Sequence, residues 1–391
     1  MSGPLRLLLL TDTAVLAPGG SERFTRNLVC ELPPECWSID VVQLQPEPAP
    51  ERCVVASLGV PHVRLVHWPV DAIYGRRGTV AFARLCARVA SSGYDVIQSQ
   101  HEKADLMNAL LPRALGGTVR ISSRRDMGFQ KTDRLRSVFR RLNGRFDRIV
   151  APSRAILDGL VADEGALPKR LVEIPNGVDT TRFRVPGAAA REAARAREGL
   201  APDELVVLCV ASLSPIKRHE DLIAAFAALR AALPRARLLL AGDGPLAAPL
   251  QAQAAALGLG ESVRFLSVRD DVAALLAAAD VFVLSSDSEG MSNAILEAQA
   301  CGLPVVATRV GGNPQFVAEG AEGFLVPARD PAALARALAG CADPAWRLAA
   351  GARARARIER AHSIPAMAAQ YDSLYRTLLG QPVVLGGVAP D

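Results

Sequence analysis

The feature that most narrows what this chain can fold into is an alternation that runs through it twice. Short runs rich in Leu, Val and Ile are each followed by a longer Ala-, Leu- and Arg-rich stretch. Short apolar runs bounded by polar turns suit strands buried on both faces, and the stretches between them suit crossover helices. Strands are expected in the first half at Leu5–Leu10, Ile39–Leu44, Val63–His67, Asp95–Ser99, Val119–Ser123, Arg148–Ala151 and Val172–Ile174. The rhythm lapses from Thr180 to Pro202, around Pro186 and Gly187. It then restarts at Leu205–Ala211, Arg237–Ala241, Val263–Leu266, Val281–Leu284, Pro304–Ala307 and Gly323–Val326. This is the pattern of an α/β protein with two doubly wound parallel-sheet domains facing a cleft, and such sheets bind ligands at the carboxyl ends of their strands.

The expected division is a domain over 1–183, a linker over 184–202, a second domain over 203–362, a helix over 363–380 and a tail over 381–391. With 391 residues and half of them hydrophobic, the chain has ample material for two cores.

Several classes of function are disfavoured at once. No apolar run reaches the roughly 18 residues of a membrane span, and Leu7–Leu10 meets Asp12 at once, unlike a signal peptide. Seven Cys without a CxxC pair read as reduced thiols of a cytoplasmic protein. Five scattered His offer no zinc-ligand cluster, so no metal site is expected. A net charge of +5 is too weak to suggest nucleic acid. Of the 45 basic residues only Lys103, Lys131, Lys169 and Lys217 are lysines, which singles out Lys217 as a position wanting a compact ammonium.

The richest stretch is 284–312, LSSDSEGMSNAILEAQACGLPVVATRVGG. A strand ends at Leu284, and a helix is expected from Gly290 or Met291 to Cys301, with Gly302 as its C-cap. The helix start offers free backbone N–H groups, which suit phosphate. Glu289 and Glu297, eight residues apart, could hold two ends of an elongated polar ligand. Spacing alone favours a plainer reading, with Glu289 as a partner of the helix dipole and Glu297 as a solvated helix residue.

The E-x7-E spacing within EGMSNAILEAQACGLPVVATRVGGNPQ resembles the nucleotide-sugar signature of glycosyltransferase family 4, retaining enzymes of the two-Rossmann GT-B fold. APGGSE at 17–22, IPNGVDTTRF at 174–183, VASLSPIKRHEDLIAAF at 210–226, LLLAGDGP at 238–245 and VRFL at 263–266 are similar to other segments of that family, in the same order. The resemblance reverses the odds at the two glutamates. It implies that Glu297 binds the donor ribose, that Glu289 faces the donor sugar, and that the backbone of Gly290, Met291, Ser292 and Asn293 lies near the sugar and distal phosphate. Lys217 would neutralise the diphosphate, and Gly19 and Gly20 would admit phosphate close to the first domain's backbone. The implied reaction needs no cofactor beyond a nucleotide-sugar co-substrate. It moves a sugar, with UDP- or GDP-linked donors expected, onto a glycan or lipid-linked acceptor held by the first domain, as in cell-envelope or exopolysaccharide synthesis. The final helix, with Tyr371 and Tyr375, would pack back toward that domain.

The chain departs from the family pattern at three places. Ala211-Ser212-Leu213 stands where Gly-Arg-Leu is common, so Ser212 replaces a cation and Arg218 is the candidate substitute. In DVIQSQHEKA, Gln100 takes the place of a frequent His, and His101 follows one residue later as a candidate contact to sugar or acceptor. Gln299 replaces a frequent Met, with an effect expected on packing. The missing Arg leaves room for a GT-B relative that hydrolyses or epimerises nucleotide sugars, or for a catalytically silent nucleotide-sugar-binding module.

Two further signals are weaker. Gly242-Asp-Gly244-Pro-Leu-Ala247 fits a dinucleotide fingerprint but follows the wrong strand of its unit, which speaks against NAD. Asp270-Asp271 precedes a helix, where capping explains it better than metal binding. The basic stretch 120–148 contains an amphipathic helix around 132–144. Its plain reading is a solvated face, and its sharper one is peripheral contact with anionic lipid at the inner face of the membrane.

Overall fold

A computed structural model describes residues 3–17, 19–46, 58–115, 118–128 and 131–383. The chain divides into two compact units, Met1–Gly177 with Ile364–Asp391, and Val178–Ser363. Each is a parallel sheet flanked by helices.

The first unit contains β1 (Leu5–Thr11), α1 (Gly20–Glu31), β2 (Trp37–Gln43), β3 (Val63–His67), α2 (Arg76–Ser92), β4 (Val96–Gln100), α3 (Glu102–Leu110), β5 (Val119–Ser123), α4 (Asp133–Leu142), β6 (Arg148–Ala151), α5 (Arg154–Glu164) and β7 (Leu171–Glu173). Its strand order is β3-β2-β1-β4-β5-β6-β7. Central strands are covered on both faces: Leu7 and Leu9 join one core, while Leu8 and Leu10 join the other. That two-sided burial is why they read as continuous apolar runs rather than alternating ones.

The second unit opens with α6 (Ala188–Arg197), a helix inside the segment expected to be a linker. Its Ala/Arg composition hides a packing face because that face is ionic. Arg191 and Arg195 reach Asp280 at 2.6 and 3.0 Å. Arg191 also donates to the carbonyls of Ala277 and Ala279. There follow β8 (Leu205–Val210), α7 (His219–Ala232), β9 (Ala236–Ala241), α8 (Ala247–Ala256), β10 (Val263–Phe265), α9 (Val272–Ala278), β11 (Val281–Leu284), α10 (Asn293–Ala300), β12 (Val305–Thr308), α11 (Asn313–Phe316), β13 (Gly323–Val326), α12 (Pro331–Gly340) and α13 (Pro344–Ala361). The strand order is β10-β9-β8-β11-β12-β13. All thirteen expected strands are present in the described residues, displaced by no more than two residues at their ends.

The last helix, α14 (Ile364–Leu378), belongs to the first unit. Tyr371 and Tyr375 are fully buried there with Phe24 and Trp37. The Trp37 indole N–H donates to Asp372 Oδ1 at 2.6 Å, and the Tyr375 hydroxyl donates to Gln98 Oε1 at 2.8 Å.

The basic stretch 120–148 is largely consumed within the first unit. Arg120 is buried and donates to the carbonyls of Leu111 and Pro112. Arg124 lies 2.8 Å from Asp105 and 3.1 Å from Glu164, and Lys131 lies 2.6 Å from Glu164. The exposed basic residues of α4 are Arg134, Arg140 and Arg141. Asp271 holds the N-cap position of α9, but its carboxylate turns away from the helix to Arg269 and Arg197, which hold its pKa at about 2, with Arg269 contributing most. Capping by that side chain, expected from the sequence, is therefore corrected. No helix of the described residues is long and apolar enough to cross a membrane.

Candidate functional site

In each sheet the strand order reverses direction beside the first strand of the unit. The reversal falls between β1 and β4 in one unit and between β8 and β11 in the other. Helices on either side of such a reversal leave on opposite faces and open a crevice at the strand ends. The candidate residues lie on the loops that follow these four strands or in the helices those loops lead into, with Gly20 at the start of α1 and Asn293 and Glu297 in α10.

In the second unit, β8 leads into a short 3-10 turn, Pro215–Lys217, and then α7. Lys217 Nζ lies 2.6 Å from Glu289 Oε1, on the loop after β11. Ser286 Oγ donates to the same oxygen at 2.6 Å. The two loops are stitched together behind the pair. Ser285 Oγ donates to the carbonyls of Lys217 and Arg218, and Asp287 N–H donates to the Ile216 carbonyl. Glu289 is largely buried, and its backbone carbonyl accepts from Gly312 N–H at 3.0 Å. Gly311 beside it has φ +48°, and a Cβ there would fall on the Glu289 carbonyl oxygen. Only glycine fits.

The helix after this loop starts later than the sequence predicts. Gly290 and Met291 remain outside it, and α10 begins at Asn293 with Ser292 Oγ accepting the Ile295 N–H at 3.3 Å. Glu289 and Glu297 therefore do not share a helix. Glu297 is one turn inside α10 rather than two, and it is 7 % exposed, so it is not the solvated residue that spacing alone favoured. The helix ends at Cys301-Gly302 as expected, with Leu303 N–H returning to the Ala298 carbonyl.

Beneath Lys217 lies a buried pair, Cys209 Sγ and His219 Nε2, 3.7 Å apart. Burial, aided by the Lys217 charge, lowers His219 to about 4, and burial pushes the Cys209 thiol up to about 12. Both are neutral at pH 7, so this pair adds no charge of its own near Lys217.

Arg218, the expected substitute for the missing Arg, pairs with acidic residues of its own helix. Arg218, in a left-handed conformation at φ +51°, donates to both oxygens of Asp221 and lies 2.7 Å from Glu220. Ser212 is exposed, and its hydroxyl lies 3.1 Å from that of Ser214. Lys217 is the cation facing Glu289, with Arg218 turned to its own acidic neighbours. The Gly242–Ala247 motif has a packing explanation: a Cβ on Gly242 or Gly244 would run into the carbonyls of Ala211 or Leu213 on the loop after β8. Gln299 likewise acts in packing, donating to the Phe316 carbonyl at 2.7 Å.

In the first unit, Gln100 turns toward α1, accepting from Thr25 Oγ1 and donating to the Ser21 carbonyl. His101 leaves the strand with φ +72°, and that turn redirects its ring. Nε2 lies 3.0 Å from Ser21 Oγ, and Nδ1 lies 3.4 Å from Thr11 Oγ1. Ser21 gives its own proton to Glu22 Oε2 at 3.0 Å, so the contact with His101 requires the ring proton on Nε2. Burial, with the charge of Arg125, lowers the His101 pKa against the opposing pull of Glu22 and Asp126. The imidazole is thus neutral with both nitrogens engaged. That suits orienting more than proton abstraction.

At the start of α1, the Glu22 carboxylate lies against Gly19, so an acid of the chain itself meets the helix N-terminus beside Gly19 and Gly20. Asp12 does similar work for α3, accepting from the N–H groups of Lys103 and Ala104 at 2.8 and 2.7 Å, and burial pushes it up to about 7. Sequence reasoning missed Ser21, Ser286 and Arg125. Ser21 and Ser286 each sit three or fewer residues from a residue it did choose. Arg125 stacks on Phe24 with its guanidinium carbon 3.6 Å from the ring centroid. Among the described residues no group of three or more His, Cys, Asp or Glu is placed to hold a metal ion.

Two family models match the chain: Glycosyltransferase Family 4 over residues 18–182 and Glycosyl transferases group 1 over 204–343. The D-inositol 3-phosphate glycosyltransferase of Streptomyces bingchenggensis is 39% identical over 207 residues, 50% of this chain and 45% of the relative. The GDP-mannose-dependent alpha-(1-6)-phosphatidylinositol monomannoside mannosyltransferase of Mycolicibacterium smegmatis is 35% identical over 241 residues, 59% of this chain and 62% of the relative. The chain thus matches about half the length of these curated relatives. Among solved structures, Anabaena Alr3699/HepE in complex with UDP has a TM-score of 0.82 at 23% identity, covering 96% of this chain and 100% of that one. Sucrose-phosphate synthase from Thermosynechococcus elongatus has a TM-score of 0.81 at 24% identity, covering 96% and 99%. At these identities the likeness speaks to the fold, which is GT-B.

Proposed function

This chain belongs to glycosyltransferase family 4, and on that premise we propose that it moves a sugar from a nucleotide-diphosphate donor to an acceptor hydroxyl with retention of configuration. The observation that carries the reading is the Lys217–Glu289 pair, 2.6 Å apart at the reversal point of the second sheet, with the start of α10 and Glu297 just beyond. A departing nucleoside diphosphate gathers negative charge, and an ammonium held beside it by Glu289 stabilises it. Glu289 accepts from hydroxyls of the donor sugar, and Glu297 accepts from the ribose. Gly290, Met291, Ser292 and Asn293 bring backbone and the positive end of α10 toward the distal phosphate. Lys217 supplies the countercharge that other enzymes draw from a metal ion, so the proposed reaction needs no metal and no cofactor.

The acceptor belongs to the first unit in this reading. His101, held neutral between Thr11 and Ser21, orients an acceptor or sugar hydroxyl, while Gly19 and Gly20 line the approach. The curated relatives named above act on an inositol phosphate and on a phosphatidylinositol mannoside, which supports a polyol, glycan or lipid-linked acceptor and a place in envelope glycan or glycolipid synthesis. Work on a lipid-linked acceptor would place the protein in the cytoplasm, touching the inner face of the membrane through Arg134, Arg140 and Arg141 of α4. Co-sedimentation with anionic phospholipid vesicles tests that contact.

A second reading draws on Arg218. Arg218 pairs with Asp221 and Glu220, and if it stays there Lys217 alone would meet the diphosphate where the family commonly has two cations. Weaker transition-state stabilisation would suit a nucleotide-sugar hydrolase or epimerase, or a silent binding module. A thermal-shift panel of UDP, GDP, ADP, CMP, NAD and their sugars, on wild type and Glu297→Ala, separates these. Ligand at 100 times its dissociation constant stabilises by about 2.7 kcal/mol. Stabilisation by one nucleoside diphosphate, lost in Glu297→Ala, supports the donor site, and acceptor-dependent turnover then separates transferase from the alternatives. A response to NAD alone would end the transferase reading.

A further inference from the structure

One oxygen of Glu289 carries both of its partners. Lys217 Nζ and Ser286 Oγ each lie 2.6 Å from Oε1, while Oε2 accepts no hydrogen bond from the described residues. The two donors are held very differently. Lys217 extends a flexible four-carbon stem from a loop, and its side chain is 23% exposed. Ser286 is fully buried two residues beyond β11. Its carbonyl accepts from Thr308 Oγ1 at 2.6 Å, and the Thr308 carbonyl in turn accepts from Asn313 Nδ2 at 2.9 Å. Ser286 is therefore anchored to the next strand of the sheet, with a side chain too short to reach elsewhere.

The chemistry asks different things of the two donors. An ammonium that meets a diphosphate has its charge claimed by the phosphate oxygens, so its bond to Glu289 is shared or lost. A buried hydroxyl has no such competitor. We infer that Ser286 is a positioning residue for sugar recognition: it pins Glu289 through Oε1 and leaves Oε2 to accept a hydroxyl of the donor sugar. This rests on the reading of Glu289 as the donor-sugar contact. In this arrangement Lys217 reads the diphosphate, Ser286 with Glu289 reads the sugar, and the two can be separated experimentally.

The test uses the full chain as wild type, Ser286→Ala, Glu289→Ala and the double variant, with thermal unfolding to verify that each is folded. Titration calorimetry compares UDP with UDP-glucose and GDP with GDP-mannose. Ser286→Ala is expected to keep the affinity for the nucleoside diphosphate within about twofold. It is expected to lose about tenfold for the matching nucleotide sugar, the scale of one hydrogen bond to a charged group. The double variant is expected to be no weaker than Glu289→Ala, because Ser286 acts through that carboxylate. A Ser286→Ala protein that keeps the wild-type preference for nucleotide sugar, that loses diphosphate binding equally, or whose loss adds to that of Glu289→Ala would overturn the inference. A Glu289→Ala protein with an unchanged sugar preference, or a wild type that binds neither pair, would instead overturn the donor-site reading on which it rests.

Discussion

The indole N–H of Trp37 and the carboxylate of Asp372 meet at 2.6 Å across 335 residues of chain, in the buried heart of the first unit. Asp372 also holds Arg376 at 2.8 Å, so one carboxylate satisfies an indole and a guanidinium that are both largely withdrawn from water. Asp372→Ala leaves the indole N–H unpaired and strips the carboxylate from Arg376, whose guanidinium keeps only Cys36 as a side-chain partner among the described residues, and should cost about 3 kcal/mol of stability. Urea unfolding followed by tryptophan fluorescence checks this. Asp372→Asn, which keeps one acceptor, should recover part of the loss.

Lys217→Ala should weaken nucleoside-diphosphate binding at least tenfold and leave Glu289 without its ion partner. Glu289→Ala should spare the diphosphate and reduce the preference for the sugar-bearing nucleotide. Calorimetry on the two variants reads the split directly. Equal loss for both ligands in both variants would argue against the division of labour.

Gly311→Ala puts a methyl group onto the Glu289 carbonyl oxygen at a residue with φ +48°. The left-handed backbone alone costs about 1–2 kcal/mol for a residue with a Cβ, and the collision adds to it. Gly320→Ala is the matched control, since it has φ +72° but nothing within 4 Å of its Cβ. Gly311→Ala should lower the thermal midpoint further than Gly320→Ala and should also reduce nucleotide-sugar binding, which the control leaves intact.

Acid should destabilise the second unit in a defined window. His219 and His362 are both lowered from 6.5 to about 4, mainly by burial, assisted by Lys217 and by Arg357 respectively. The unfolded chain therefore binds protons that the folded chain refuses. The stability due to these residues is fully present above pH 6.5 and is lost as pH falls toward 4. Each can contribute a slope of up to about 1.4 kcal/mol per pH unit within that window. Urea midpoints at pH 7, 6 and 5 should fall progressively, and less steeply in His219→Gln.

Much of this architecture is legible in the residues because both sheets are parallel and covered on both faces. Each strand is then an uninterrupted apolar run with polar turns at its ends. Other features are hidden for identifiable reasons. The start of α10 is misplaced because Gly290 and Met291 belong to a loop that Gly311 and Gly312 shape from a neighbouring strand end, a contact no local pattern reports. Helix α6 is missed because it packs through arginines onto Asp280 rather than through an apolar stripe. The basic stretch reads as a charged surface because its partners, Asp105 and Glu164, lie outside it. Among the candidate site residues, the chain pattern points to Glu289, Glu297 and Lys217, and the structure places Lys217 against Glu289. That Arg218 is turned to Asp221 and Glu220, and that Ser286 shares an oxygen with Lys217, depends on side-chain geometry alone.

The passage of the chain out of the first unit at Gly177 and back into it at Ile364 has a consequence for the order of events during synthesis. The second unit is a continuous stretch, complete once Ser363 has emerged from the ribosome. The first unit, although begun earlier, lacks Tyr371 and Tyr375 from its core until α14 has been made. Domains generally fold as they are completed. The part of the protein translated second is thus the first able to reach its native state, while Trp37 and Phe24 wait for the last helix to cover them.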